Sequence, residues 1–218
     1  MIDNARSPKS LALLLAVLAA AALAYACVST SWLYNPRNKQ HFDVGFGLLS
    51  NYECELGVPD GCRSMSNAGL VEDWRQQLAE IKQRSSTVPS DISFAVQARE
   101  ELRASNAFPV LGWITLVCCA IAALSLLVCA ALVAANKRIM WPVMPTTTAI
   151  LGIAVGLVAG CVFVAMKPGP AGYVGVHLGF FAFGTGVIVG IVAALLLNKL
   201  LRPYDEDLLA DAMQPDQY

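Results

Sequence analysis

Two cysteines, Cys54 and Cys62, carry the clearest chemistry in this sequence. The seven residues between them include Gly57, Pro59 and Gly61, a composition that favours a turn. A turn can bring the two thiols together, and two such thiols normally form a disulfide in an oxidising compartment. The chain-entropy model gives a ring of this size about 2–3 kcal/mol of stabilisation. We therefore predict a disulfide between Cys54 and Cys62.

The other five cysteines all lie in uncharged stretches. They are Cys27, Cys118, Cys119, Cys129 and Cys161. Buried free cysteines behave as small apolar residues, so we interpret these five as packing residues. Cys118 and Cys119 are adjacent and lack the C-x-x-C spacing of thiol oxidoreductases. Palmitoylation of Cys129, toward the cytoplasmic end of the second span, is an alternative.

Few side chains could serve acid–base catalysis. The candidates are His41, Asp43, Glu53, Glu55 and His177, and no motif spacing relates them. An active site needs a nucleophile, an acid or base and a charge-stabilising group that converge on one point. We predict no catalytic, cofactor-binding or metal-binding residue. The sequence has no basic stripe either, so we expect no nucleic-acid partner.

Four long stretches without charge must form the elements that position these residues. Asp, Glu, Lys and Arg do not occur in 10–36, 104–136, 139–166 and 168–198. Each stretch supplies the roughly 20 apolar residues that one helical crossing of a bilayer needs. The chain is 14% charged, against about 25% in a typical soluble domain. We predict an all-α membrane protein, built as a bundle of four transmembrane helices.

The predicted spans divide the chain into nine segments. The transmembrane helices are 10–33, 107–135, 140–166 and 174–199. The segments around them are 1–9, the long loop 34–106, the short connections 136–139 and 167–173, and the acidic tail 200–218.

Lys and Arg are concentrated on one side of the predicted membrane. The pairs are Arg6 and Lys9, Lys137 and Arg138, and Lys199 and Arg202, whereas the connection 167–173 carries one Lys. Because cytoplasmic segments carry the excess of these residues, we expect both termini in the cytoplasm and the long loop outside. The membrane would be the plasma membrane, or the inner membrane of a bacterium. An alternative is a signal peptide cleaved after Ala24-Tyr25-Ala26, which would not change the orientation of the other three helices.

The long loop is predicted to contain a sheet and amphipathic helices. Residues His41 to Leu49 have apolar side chains at strand spacing with glycines between them, which predicts a short antiparallel sheet ending at the disulfide. An amphipathic helix is predicted at 68–84, with its apolar side on the sheet or on the membrane surface. Its apolar residues are Leu70, Val71, Trp74, Leu78 and Ile81. A second helix, carrying Ile92, Val96 and Leu102, is predicted to lead into the next span.

Glycines recur at close spacing in the last two spans. They are Gly152, Gly156 and Gly160 in the third span and Gly175, Gly179, Gly186 and Gly190 in the fourth. Small residues let membrane helices approach closely, so we predict that these glycines pack helices within one chain. A dimer face or a ligand groove is the alternative interpretation.

Several residues around the cysteine pair stand in a recognisable order. Trp32 follows the first span, Gly47 and Leu48 come next, and Cys54 and Cys62 complete the set. This pattern resembles the signature of the claudin / peripheral myelin protein superfamily. That group includes the claudins, the epithelial membrane proteins and the γ-type auxiliary subunits of calcium channels and AMPA receptors.

A second likeness lies before the second span. Val88-Pro89-Ser90-Asp91-Ile92 followed by Val96-Gln97-Ala98-Arg99 is similar to the superfamily's Pro-x-Asp-Leu-Gln-Ala-x-Arg motif. The resemblance covers the whole topology, although about ten residues carry it. It implies that the signature residues are structural and that they anchor the sheet to the bundle. These residues are Trp32, Gly47, Leu48, Cys54, Cys62 and Arg99.

The sequence also departs from the superfamily. Leu49 stands where the family has a third signature residue, Trp, and four residues rather than two separate it from Cys54. The connection 167–173 is much shorter than the claudin segment used for contact between cells. The first loop is longer, because of the predicted amphipathic helix. The resemblance therefore predicts the fold better than it predicts a paracellular barrier.

The expected function is contact rather than catalysis. We expect a claudin-like tetraspan that acts through lateral and extracellular contacts, as a scaffold, a junction or adhesion protein, or an auxiliary subunit of a membrane complex. Its expected partners are membrane lipids and either another membrane protein or a second copy. The alternatives are a lipid-binding or ligand-sensing tetraspan and a membrane enzyme.

Overall fold

The computed structural model describes residues 8–34, 42–55, 57–58, 60–85, 106–137, 143–166 and 175–201. The predicted helix with Ile92, Val96 and Leu102 lies outside these residues, and so does Arg99.

Four of the five described helices are long and apolar enough to cross a membrane. They are α1 (Pro8–Val28), α3 (Ala107–Ala134), α4 (Val143–Ala165) and α5 (Leu178–Leu201), while the shorter helix α2 (Asn67–Ser85) precedes α3. Leu and Ala, which are strong helix formers, dominate α1 and α3. The prediction of a helical, multi-pass membrane protein is confirmed.

The transmembrane helices pack as a ring in the order α1, α3, α4, α5. The most extensive contacts join α3 to α4 and α1 to α5. Their buried positions hold mainly small residues, such as Ala16, Ala19, Ala122 and Ala193, each fully buried. Large apolar side chains point away from the bundle instead, as expected for helices surrounded by lipid. Examples are Leu14, Leu124, Val158 and Ile188.

The strands form one antiparallel sheet of five. They are β1 (Leu33–Tyr34), β2 (Phe42–Phe46), β3 (Ser50–Glu55), β4 (Cys62–Ser66) and β5 (Gly175–Val176). Their order in the sheet is β4-β3-β2-β1-β5. The predicted sheet in the long loop is confirmed. The sequence reasoning missed β5, which comes from the segment before α5 and pairs with β1.

Two predicted span boundaries are wrong because residues expected at the helix ends pair with strands of the sheet instead. The first helix was expected to reach residue 33, but α1 ends at Val28, and the Trp32 backbone N–H donates to the Phe46 carbonyl at 2.8 Å. The fourth was expected to start at 174, but α5 starts at Leu178 because Gly175 lies in β5. Backbone groups that pair in a sheet are not available to a helix. Gly175 is therefore a strand residue and not a helix-packing residue.

The two ends of the bundle differ in chemistry. Near the sheet, the lipid-facing side chains of Tyr25, Trp113 and Phe181 are each about half exposed, at 48%, 56% and 60%, which is typical of an interfacial aromatic belt. At the opposite end, the Lys9 ammonium donates to the side-chain oxygen of Asn136, just beyond α3. Asn136 has a φ of 52°, and the hydrogen bonds around it end the helix as in a Schellman motif.

Helix α2 lies against the sheet, close to its predicted range of 68–84. Leu70 and Val71 are buried, and Leu70 and Trp74 pack in the cluster that also holds Phe108 of α3. Arg75, on the exposed side, donates to the side chains of Glu72 and Asn106. The helix therefore links β4, which directly precedes it, to the start of α3.

Candidate functional site at the junction of sheet and helices

Trp32 is the centre of the junction between the sheet and the helices. Its side chain is fully buried, and its indole N–H donates to the Ala26 carbonyl at 2.6 Å, one of the C-terminal carbonyls that α1 itself leaves without a helical partner. The ring contacts Phe163 of α4 and Phe183 of α5, with centroids 5.9 and 5.1 Å away. The residue predicted as an anchor thus contacts three of the four spans.

The backbone of Trp32 and its neighbours also holds the start of α5. The backbone N–H of His177 donates to the Trp32 carbonyl at 2.9 Å, and that of Gly179 donates to the Ser31 carbonyl at 2.9 Å. A Cβ at Gly179 would lie 2.7 Å from the Trp32 ring, closer than carbon atoms can approach. A residue other than glycine at this position would push α5 away from the junction.

Gly47 and Leu48 form the turn between β2 and β3, and this turn presses against the helices. A Cβ at Gly47 would lie 2.7 Å from the Ser29 carbonyl oxygen, just beyond α1. Leu48 has only 1% of its side chain exposed, and a Cβ at Gly112 of α3 would lie 2.0 Å from its carbonyl oxygen. Both residues of the predicted pair therefore lie at contacts with transmembrane helices or their ends.

Asn67, the first residue of α2, holds this turn from the other side. Its side-chain amide donates to the carbonyls of Gly47 and Leu48 at 3.0 and 2.9 Å, and its backbone N–H donates to Leu49 at 2.8 Å. The side chain is fully buried. Three successive carbonyls of the turn are thus bound by one residue. Sequence reasoning missed Asn67, since a lone Asn before an amphipathic helix is usually interpreted as a simple N-cap.

The disulfide lies at the far edge of the sheet. Cys54 of β3 and Cys62 of β4 are directly paired in register and joined by a disulfide, so this prediction is confirmed. Next to it a surface cavity of about 340 Å³ is lined by Glu53, Glu55, Val58, Asp60, Gly61 and Arg63. The disulfide therefore fixes the outermost hairpin, at a distance of several strands from Trp32.

The helix glycines contact other parts of the same chain. A Cβ at Gly152 would lie 3.1 Å from the Cys118 carbonyl oxygen of α3, and one at Gly160 would lie 3.0 Å from Phe183 of α5. A Cβ at Gly186 would lie 2.9 Å from Leu23 of α1. Gly156 and Gly190 make similar contacts. These glycines therefore lie where helices of the same chain meet, as expected for residues that pack helices within one chain.

A polar cluster covers the face of the sheet that carries Tyr34, Asp43 and Tyr52. The Tyr52 ring lies over Gly45, where a Cβ would be 2.3 Å from it, and the Tyr34 ring packs at a tilt of 31° against His177 with centroids 5.2 Å apart. Partial burial and the negative charge of nearby Asp43 raise the pKa of the Tyr52 phenol, which is also hydrogen-bonded to Ser31. One side-chain oxygen of Asp43 and the Nδ1 atom of His177 are buried without a hydrogen-bond partner.

Two members of this cluster, Asp43 and His177, are among the five residues that sequence reasoning considered for catalysis and rejected. The structure places Asp43 and His177 on the same part of the sheet, while Glu53 and Glu55 line the cavity beside the disulfide. His41 lies outside the described residues. Within the described ranges, no three His, Cys, Asp or Glu side chains come together to hold a metal ion.

No known family model matches the chain, and no curated protein gives a significant match.

Proposed function

We propose that this chain is a non-enzymatic, claudin-like tetraspan that works by presenting a rigid sheet next to the membrane to a protein partner. The observation that carries the proposal is the attachment of the sheet. Trp32, Gly47 and Leu48 join it to the transmembrane helices through buried contacts, and Asn67 of α2 holds the turn at the attachment point. A platform held in this way keeps a fixed orientation relative to the bilayer, which suits a recognition surface.

The partner surface is on the outer strands. All five residues of β4 are exposed, among them Met65 at 38%, and the turn between β3 and β4 exposes Val58 at 48%. Exposed apolar side chains beside charged groups are typical of protein-binding surfaces. The proposed partner is another membrane protein or a second copy of this chain, so the proposed role is that of a scaffold, an adhesion protein or an auxiliary subunit.

We further propose that the sheet lies outside the cell, with both termini in the cytoplasm of a plasma-membrane protein. The supporting observations are Lys9, Lys137 and Lys199 at the end of the bundle remote from the sheet, and a disulfide in the sheet, which is typical of an oxidising compartment. Labelling intact cells with a membrane-impermeant thiol reagent tests this orientation. A Ser64→Cys variant should react from outside and a Lys137→Cys variant should not.

Co-purification tests the function itself. Extraction from native membranes in mild detergent should recover a larger complex, and Met65→Asp together with Val58→Asp should release the partner while the four-helix bundle stays folded. Leu124→Met, on the lipid-facing side of α3, is the matched control and should keep the complex. A wild-type protein that is strictly monomeric and without partner in nanodiscs made directly from native membranes would contradict the proposal.

A further inference from the structure

A second feature of the surface lies at the opposite end of the bundle from the sheet, on α5. It is a groove of about 380 Å³. Its described lining consists of Val192, Leu195, Leu196, Asn198 and Lys199. Val192 and Leu195 are half exposed, at 44% and 52%, so the groove opens sideways toward the surrounding lipid. It is therefore apolar along its length and polar at one end.

The depth of the groove in the membrane follows from helix geometry. Gly179 lies at the Trp32 junction near the sheet, and Lys199 is twenty residues further along α5. With 1.5 Å per residue, the two are about 30 Å apart, which is the thickness of the hydrocarbon core of a bilayer. Lys199 therefore lies at the headgroup level of the leaflet remote from the sheet, and Val192 to Leu196 lie among the acyl chains.

Asn198, at the polar end of the groove, contacts a neighbouring helix. The Thr146 hydroxyl of α4 and the Asn198 side-chain oxygen of α5 are 3.4 Å apart, and Thr146 is 97% buried. This polar pair holds α5 against α4 at the point where the groove ends. Asn198, one of the residues that line the groove, is therefore held in place by a contact with a second helix.

The charge at the end of the groove selects the ligand. Lys199 is exposed, and the ion pair found among the described residues is the one between Arg75 and Glu72, on the sheet side. The Lys199 ammonium is the charged group in the described lining of the groove. A ligand that fits must combine an acyl chain with an anionic head.

From this geometry we propose that the groove binds an anionic phospholipid of the leaflet remote from the sheet. Its phosphate contacts the Lys199 ammonium, and one acyl chain lies along Val192, Leu195 and Leu196. Zwitterionic lipids bind less well because their own ammonium competes for the phosphate and repels Lys199. This site is independent of the protein partner in the proposed function, since it lies at the other end of the molecule.

Native mass spectrometry of the full chain tests the site. The protein is taken from nanodiscs of phosphatidylcholine that contain a minor fraction of phosphatidylglycerol, and the lipids retained in mild detergent are counted. Wild-type protein should retain one phosphatidylglycerol per chain. Lys199→Gln should reduce that retention about fivefold, whereas Lys137→Gln, a basic residue at the same end but outside the groove, should leave it unchanged.

A second variant tests the apolar part of the groove without changing charge. Val192→Trp fills the groove from its exposed side and should displace the lipid while thermal unfolding stays at the wild-type temperature. Equal losses of phosphatidylglycerol from Lys199→Gln and Lys137→Gln would overturn the proposal, since they would show that the basic end of the bundle attracts anionic lipid in general. Retention of the lipid by Val192→Trp would also overturn the proposal. So would disulfide-linked dimers of a Val192→Cys variant in bilayers, because they would show that a second copy of the chain covers the groove.

Discussion

The carbonyl oxygen of Leu48 lies directly against Gly112, and a Cβ at residue 112 would be 2.0 Å from that oxygen. The turn between β2 and β3 therefore touches the backbone of α3 with no side chain between them. Because Asn67 binds the same carbonyl from the other side, the turn is held between α2 and α3. A displacement of α3 must be transmitted to the sheet through this contact.

Gly112→Ala should separate the turn from α3. Relieving a contact this close requires movement of the backbone, and overpacking of this kind costs about 1–3 kcal/mol. We expect a lower unfolding temperature in detergent, measured by intrinsic fluorescence. Gly184→Ala is the matched control, since it adds the same methyl group in α5 where no atom lies within 4 Å. Equal unfolding temperatures for the two variants would contradict the proposed contact.

Asn67→Asp should destabilise the turn although it changes the shape of the side chain very little. A carboxylate cannot donate, so the carbonyls of Gly47 and Leu48 lose their buried donor and face a negative charge instead. Each unsatisfied buried group costs about 1–3 kcal/mol, and the unfolding temperature should fall. Gln76→Glu, which makes the same amide-to-carboxylate change on the exposed side of α2, should unfold at the wild-type temperature.

Trp32→Phe should weaken the junction between the sheet and the helices. The variant keeps an aromatic ring near Phe163 and Phe183 but removes the donor to Ala26 and leaves a small cavity. We expect destabilisation of about 2–4 kcal/mol, from the lost hydrogen bond and the missing ring volume together. Trp113→Phe makes the same change at a lipid-facing position and should have little effect. Chemical unfolding in mixed micelles measures both.

The sequence predicts the helices and the disulfide well because these depend on local or pairwise signals. Uncharged stretches such as 104–136 can satisfy their backbone in lipid as helices, and Cys54 and Cys62 are joined across one short hairpin. The strand β5 and the role of Asn67 were not predictable in this way. Gly175 and Val176 pair with Tyr34 and Leu33, more than 140 residues earlier in the chain, and no local pattern encodes that contact.

The junction between the sheet and the helices shows the same difference between local sequence signals and contacts of distant segments. The importance of Trp32 and of Gly47-Leu48 was inferred from their order in the sequence, but Gly112 carries no signal that distinguishes it from any other glycine in an apolar helix. Its importance arises from what the turn places against it. Contacts between distant segments are set by the three-dimensional packing, so they become visible when the fold is known.

Removal of the disulfide should loosen the outer hairpin and leave the bundle intact. Replacing both Cys54 and Cys62 with Ser opens a ring whose closure is worth about 2–3 kcal/mol in the chain-entropy model. Hydrogen exchange should increase in β3 and β4, while α3 and α4 keep the protection of the wild type. Cys161→Ser, at an exposed position on α4, is the control. Faster exchange throughout the helices would show that the disulfide supports more than the hairpin.

Tyr52 should make the fold sensitive to alkali. Its pKa in the folded protein is raised, first by burial and then by the charge of Asp43, above the value near 10 that a tyrosine has in an unfolded chain. The folded state therefore holds the phenolic proton more tightly than the unfolded state does. The resulting stabilisation is fully present below about pH 10 and is lost as the pH rises through the raised pKa.

The measurement compares wild type with Tyr52→Phe across this range. The free energy of unfolding of the wild type should fall more steeply above about pH 10, since the variant has no phenol to titrate at this position. The other tyrosines are common to both proteins and cancel in the difference. Asp43→Asn should remove part of the effect, because it removes the carboxylate charge but leaves Tyr52 partly buried. If the two stability curves stay parallel through the alkaline range, Tyr52 is not held as the structure indicates.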